Sequence, residues 1–178
     1  MEFDPSLPLR THLLQAVLRF TRVAAGIPGV RRVALVGSLT TSKASPKDAD
    51  VLVTIATDVD FVRLAKAGRT LKGTGQQRNS GADIFLADED GRYIGRVCHY
   101  RECRPRVACH AQHCGRRESL NDDLDIVDLP ASLVASPPME LWPTIVRRRA
   151  VPQDVEELLL GPLQEMSTGA GKVVPTQG

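Results

Sequence analysis

Two apolar runs decide the fold: Val33-Ala34-Leu35-Val36, which continues into Gly37-Ser38, and Asp48-Ala49-Asp50-Val51-Leu52-Val53. Each run is apolar enough to form a buried strand. Side chains in a strand alternate between two faces, so Asp48 and Asp50 project from the same face. Two carboxylates this close repel each other unless a cation lies between them. The pair therefore predicts a metal site, and its oxygen ligands suit Mg²⁺, which takes further ligands from substrate phosphates.

A third strand-like run, Ala82-Asp83-Ile84-Phe85-Leu86-Ala87, places an acidic residue among apolar ones. A carboxylate in such surroundings is costly unless it is paired or bound to a metal. We therefore expect Asp83 to join Asp48 and Asp50, with the three sets of oxygens within roughly 6 Å of one another, as ligands of neighbouring metal ions require.

From Val33 to Ala87 the chain resembles the nucleotidyltransferase superfamily that includes DNA polymerase beta and the minimal nucleotidyltransferases. The resemblance rests on the Gly-Ser turn, the nine residues that follow it, the two spaced acids and the third acid on a later strand. It implies that Gly37 and Ser38 grip the triphosphate of a nucleotide. It also implies that Asp48, Asp50 and Asp83 are the catalytic residues and hold two Mg²⁺ ions, with Asp83 closest to the acceptor hydroxyl.

The chain differs from the family around the triphosphate. The stretch from Leu39 to Lys43 lacks the Arg and the Gly that small family members often carry, and Lys47 stands where a Ser often precedes the first acid. Lys43 and Lys47 are predicted to supply part of the missing positive charge. A Gly-Ser turn or an Asp-x-Asp pair alone is more often an ordinary turn before a strand, but their order, spacing and apolar flanks favour the functional interpretation.

The remaining pattern predicts an α+β (or α/β) fold, a nucleotidyltransferase-like mixed β-sheet with flanking helices. Predicted helices cover 8–25, about 59–72 and 152–164, and predicted strands cover 33–36, 50–55, 82–87 and 92–97, with a polar loop at 73–81 and strand-like alternation at 121–129. We expect a nucleotidyltransferase-like domain over 1–130, a Pro-rich stretch with a C-terminal helix packing on it over 131–166, and a disordered tail over 167–178.

All four cysteines, Cys98, Cys103, Cys109 and Cys114, lie in one short segment interleaved with His99, His110 and His113. Such crowding indicates metal or redox chemistry, and a structural Zn²⁺ with four Cys or mixed Cys and His ligands is one interpretation. A helix over 107–115 would form two i,i+4 Cys-His pairs. Reduced, partly buried thiols and a Cys103–Cys109 disulfide are the alternatives.

Bulk properties limit the function only loosely. The 178 residues are 42% hydrophobic and 25% charged, as in an ordinary globular protein, and the net charge of +2 gives little support to a nucleic-acid partner. No long apolar segment or basic leader is visible, so we expect a cytoplasmic protein with no membrane partner. The substrate expected from the resemblance is an NTP, most naturally ATP, with an unidentified acceptor. The alternative is a non-catalytic relative that binds a nucleotide or a protein partner and uses a zinc-stabilised docking segment.

Overall fold

The computed structural model describes residues 6–104, 107, 109 and 114–169. Its strands are β1 Val30–Val36, β2 Asp48–Ile55, β3 Gly81–Ala87, β4 Tyr93–Val97, β5 Leu120–Asn121, β6 Met139–Trp142 and β7 Val146–Arg147. They form one mixed sheet in the order β5-β4-β3-β2-β1-β6-β7. The pairing of β2 with β3 is parallel and all the other pairings are antiparallel.

Helices connect and cover these strands. They are α1 Leu9–Ala25, α2 Phe61–Gln76, α3 Ala131–Ala135, α4 Gln153–Val155 and α5 Gly161–Gly169. A 3₁₀ turn, Gly37–Thr40, follows β1, and a π-helical turn, Glu156–Leu160, joins α4 to α5. Pro162 follows that turn and has no N–H to donate to the carbonyl four residues earlier, so a widened turn at this place is physically reasonable.

The two faces of the sheet are covered differently. On the first face Val51, Val53 and the other residues of the same parity pack under α1, α2 and the C-terminal helix in the main core. On the second face a smaller cluster gathers Leu52 and Phe85 with Val134 of α3. Asp48 and Asp50 share the parity of Leu52, and Asp83 shares that of Phe85, so the three acids belong to this less covered face.

The expected fold class is confirmed as α+β with a seven-stranded mixed sheet and flanking helices. The predicted helices and the strands before residue 98 are present with shifted ends. The loop predicted over 73–81 is wrong in its first half, because α2 continues to Gln76. Packing of α2 on α1 and β3 outweighs the weak helix preference of its glycines.

The strand-like alternation over 121–129 is wrong beyond Asn121, because only β5 pairs with β4. The chain turns away at Asp122, whose buried carboxylate accepts hydrogen bonds from the N–H groups of Gly115 and Arg116 at 3.1 and 3.3 Å. The Pro-rich stretch contains β6, which pairs with β1 inside the sheet.

Residues 167–169, predicted to begin a disordered tail, lie in α5, and 170–178 lie outside the described residues. Among the helices of the described ranges, none has both the length and the apolar character needed to cross a bilayer.

Candidate functional site

The three acids predicted as metal ligands lie at the N-terminal ends of β2 and β3. Asp50 pairs directly with Asp83 across the parallel strands, and Asp48 pairs with Gly81. Directly paired residues on neighbouring strands project from the same face, so the structure brings Asp48, Asp50 and Asp83 to one face of the sheet. The approach of all three sets of oxygens to within roughly 6 Å stays a prediction.

The Gly-Ser turn lies directly against this acidic group. Val36, the last residue of β1, pairs with Asp50, and Gly37 follows with a φ of 68°. A Cβ at Gly37 would lie 2.2 Å from Asp50 Oδ2. Only glycine allows both this backbone conformation and this close approach. The turn is closed by Thr40 Oγ1, which donates to the Gly37 carbonyl at 2.7 Å.

Ser38 presents its side chain beside this turn. The residue is half-buried, and its hydroxyl has no hydrogen-bond partner within the part of the chain that the structure describes. A hydroxyl in this state can donate to a ligand oxygen at little cost.

Burial, which is the largest cause, together with the neighbouring Asp83 and Asp48 carboxylates raises the pKa of Asp50 to about 6. The ionised form is therefore disfavoured in the absence of a cation. A divalent ion beside Asp50 would reverse both effects, because it replaces lost hydration and offsets the like charges.

Two of the three acids are held by protein donors. Asp48 Oδ1 accepts a hydrogen bond from the Gly81 N–H at 3.0 Å, in space that a Cβ at Gly81 would fill. Asp83 Oδ1 accepts from Arg96 Nη1 at 3.2 Å. In the described ranges no three Cys, His, Asp or Glu side chains are arranged as a group that could hold a metal ion. The acids fit Mg²⁺ in donor type and in shared face, but a metal must compete with Arg96 for Asp83.

Three basic residues lie near the acids, and the sequence did not predict them as part of this site. They are Arg96, Lys72 and His99. Arg96 pairs with Phe85 on β3, which places it on the same face as Asp83. Lys72 Nζ lies 2.5 Å from His99 Nε2. Burial lowers the pKa of Lys72 and of His99, and the Asp83 carboxylate opposes both shifts. The sequence feature that could have identified Arg96 is its charge in the middle of the otherwise uncharged strand β4.

Lys43 and Lys47, predicted to face the triphosphate, have exposed side chains with no ion-pair partner in the described ranges. The backbone of Lys47 has a structural role: its carbonyl accepts from the Ser80 hydroxyl and from the Gly81 N–H, the latter at 3.2 Å. These bonds fix the start of β3 beside Asp48. The phosphate contacts of both lysines stay predictions.

The cysteines form a second cluster beyond β4. Cys98, Cys103, Cys109 and Cys114 line one cavity of about 30 Å³, and all four are free thiols. His110 and His113, and with them most of the helix predicted over 107–115, lie outside the described residues.

Comparison with known proteins adds no family assignment: no protein-family model matches the chain, and no curated protein or solved structure has significant similarity to it.

Proposed function

We propose that the protein is a metal-dependent nucleotidyltransferase that transfers a nucleoside monophosphate from an NTP, most naturally ATP, to a hydroxyl acceptor. The observation that carries this proposal is the junction of β1, β2 and β3. There the Gly37 turn lies against Asp50, which is paired in register with Asp83 and shares its face with Asp48. A tight turn for phosphate and a set of acids for metal thus meet at one end of the sheet.

In this proposal each part of the junction has a distinct task. Gly37 lets the backbone approach a phosphate without a Cβ in the way, and the Ser38 hydroxyl donates a hydrogen bond to a phosphate oxygen. Asp48, Asp50 and Asp83 would hold the divalent cations. When bound, Mg²⁺ supplies charge neutralisation for the triphosphate and the departing pyrophosphate, and it favours the deprotonated form of an attacking hydroxyl.

Arg96 has a task that the resemblance did not include. Its contact with Asp83 holds that carboxylate on the acidic face while no cation is bound. Release of Asp83 to a metal would free the guanidinium, which is a good partner for phosphate oxygens. Arg96 and Lys72 would then supply the positive charge that the Leu39–Lys43 stretch lacks.

The proposal is tested by measuring both nucleotide binding and pyrophosphate release. A non-hydrolysable analogue, α,β-methylene-ATP, is titrated calorimetrically with and without Mg²⁺, and pyrophosphate release from ATP is measured with a panel of sugars, polyols and nucleosides. Binding that requires Mg²⁺ and release of pyrophosphate rather than orthophosphate are expected, because attack is at the α-phosphorus. Asp90→Asn is the control, since Asp90 is an exposed carboxylate in the β3–β4 turn. Orthophosphate release alone, or no Mg²⁺-dependent binding, would contradict the proposal.

One observation favours the second candidate, a non-catalytic module that binds a nucleotide or a protein partner. Asp48 and Asp83 already have protein donors, so the acids can be accommodated without any metal. Such a module would bind its nucleotide or partner equally well with and without Mg²⁺ and would release no pyrophosphate. It would also tolerate Asp50→Asn, which an enzyme of this design would not.

A further inference from the structure

The connection between β4 and β5 covers residues 98–119. Its described residues form no apolar core, because none of them is buried and Val107 is 81% exposed. Long connections with little buried surface are uncommon in compact domains, because little offsets the entropic cost of ordering them. Another stabilising interaction is therefore expected in this segment.

The four cysteines line one cavity. Tyr100 and Arg117 line the same cavity, which has a volume of about 30 Å³. These four are all the cysteines that the chain contains. Their convergence from a span of seventeen residues matches the two Cys-x4-Cys pairs of the sequence.

One backbone and one side-chain hydrogen bond hold the two ends of the cluster. The Cys98 N–H donates to the Ser119 carbonyl at 2.7 Å, and the Cys114 thiol donates to the Leu120 carbonyl at 3.1 Å. Near the middle, the Cys109 N–H donates to the Arg104 carbonyl at 3.3 Å. Cys98 and Cys114 are thus anchored to paired strands, while Cys103 and Cys109 have only local support.

Buried reduced thiols and a disulfide, the two alternatives predicted from the sequence, agree less well with the structure of this segment. Cys103 is exposed, so burial as a small apolar side chain does not explain its position. No disulfide joins any two of the four. Two separate dithiols near the surface would not explain why all four cysteines line a single cavity.

We propose that Cys98, Cys103, Cys109 and Cys114 bind one structural Zn²⁺ as four thiolates in a tetrahedral site. This proposal is independent of the nucleotidyltransferase activity. Four neutral thiols lose four protons when Zn²⁺ binds, and no electron is transferred. Soft thiolate ligands select zinc over the Mg²⁺ expected at the acidic site.

The metal itself would complete this site. In the described ranges no three Cys, His, Asp or Glu side chains form a preformed ligand group, so binding of Zn²⁺ would have to draw the four sulfurs together, as in sites that form only when the metal binds. A four-thiolate zinc site carries a charge of about −2. Arg117 lines the cavity and can offset part of that charge, and Glu102, which also lines the cavity, is itself paired with Arg104.

Metal analysis of the full chain tests the proposal. Protein made in zinc-supplemented medium and purified without chelators is expected to contain about one Zn²⁺ per chain. Cys109→Ser and Cys114→Ser should lose most of it. Asp50→Asn, which alters only the acidic site, and Tyr100→Phe, which alters only the cavity lining, should keep it. Replacement by Co²⁺ should give the intense absorption of a tetrahedral thiolate complex.

A measurement on the wild-type chain covers the case in which the Cys variants fail to fold. Titration with a mercurial reagent should release the zinc as the four thiols react, in a ratio of about one metal to four thiols. Zinc that is absent from the wild type, zinc lost in Asp50→Asn, a coloured iron–sulfur protein, or disulfides in place of free thiols would each overturn the proposal. Failure of nucleotidyl transfer would leave it unaffected, because none of these readouts uses activity.

Discussion

The acidic junction and the Cys-rich connection are positioned by different means. At the junction, strand pairing alone places Asp50 opposite Asp83 and Gly37 against Asp50, over a core whose residues are almost fully buried. In the connection, residues 98–119, a few backbone hydrogen bonds and the hydrogen bond from Arg117 to the Val59 carbonyl do the positioning, and no described residue is buried. A site built on paired strands keeps its geometry without a ligand, whereas a site built on a loop gains its geometry from the ligand it binds.

The largest expected effect concerns the junction. Asp50→Asn should reduce pyrophosphate release by roughly 10³-fold or more, because a lost metal ligand removes several kcal/mol of transition-state stabilisation. The fold should be kept, since strand pairing rather than the carboxylate holds the geometry. Activity assays beside thermal melting check this prediction. Wild-type activity in Asp50→Asn would mean that Asp50 holds no metal and that the junction is only a structural feature.

The next largest effect is expected from substitution of Gly37, compared with substitution of a control glycine. Gly37→Ala should cost about 1–3 kcal/mol of stability and most of the nucleotide affinity, because it forces a side chain into a φ of 68° and against Asp50 Oδ2. Gly73→Ala is the matched control: its Cβ would meet nothing within 4 Å inside α2, so we expect a gain of about 0.5–1 kcal/mol. Denaturant unfolding and calorimetric titration measure both. Equal effects of the two substitutions would remove the argument for a phosphate-binding turn.

The stability of the wild type and of Asp50→Asn, measured over a series of pH values, tests the electrostatics of the junction. The pKa of Asp50 is raised from 3.8 to about 6, so its ionisation in the folded chain is penalised as the pH rises through this range. Metal-free wild type should therefore lose stability relative to Asp50→Asn between about pH 4 and 6, by at most ~3 kcal/mol before solvent screening reduces it. Saturating Mg²⁺ should remove the difference, because the bound ion favours the ionised form. A difference that does not vary with pH would contradict the burial and charge argument.

The smallest effect is expected in the connection. Arg117 lies over the Phe61 ring at 4.8 Å and donates to the Val59 carbonyl at 3.0 Å. Arg117→Ala should cost about 1 kcal/mol and speed hydrogen exchange in 98–119, while β2 and β3 keep their protection. Arg63→Ala, which alters an exposed arginine of α2, is the control. Faster exchange throughout the sheet would show that the connection and the junction form one cooperative unit.

The sequence predicted the features that depend on alternation within one segment. Alternation placed Asp48 and Asp50 on one face, and the apolar runs located β1, β2 and β3 to within a few residues. The metal ligation expected at these acids stays a prediction. The direct pairing of Asp50 with Asp83 depends on how α2 returns the chain to β3, and no local pattern encodes that register.

Other features were missed because tertiary contacts decide them. The four-residue strand β6 is too short and too close to prolines to be recognised, and its pairing with β1 is what makes it a strand. Arg96 was missed because its importance comes from a partner, Asp83, on a neighbouring strand. Asp122 looked like part of an alternating strand, yet it turns the chain through bonds to the N–H groups of Gly115 and Arg116.

The end of β4 has a consequence for how this chain can change during evolution. Within four consecutive residues Arg96 holds Asp83, Val97 enters the core, Cys98 lines the thiol cavity and His99 meets Lys72. One inserted or deleted residue here would exchange the two faces and disrupt both clusters together. Length changes between Cys103 and Cys109 would leave Arg96 and its partner in place. The acidic junction and the first cysteine are therefore inherited as one unit of fixed length, while the length of the chain between Cys103 and Cys109 is free to vary.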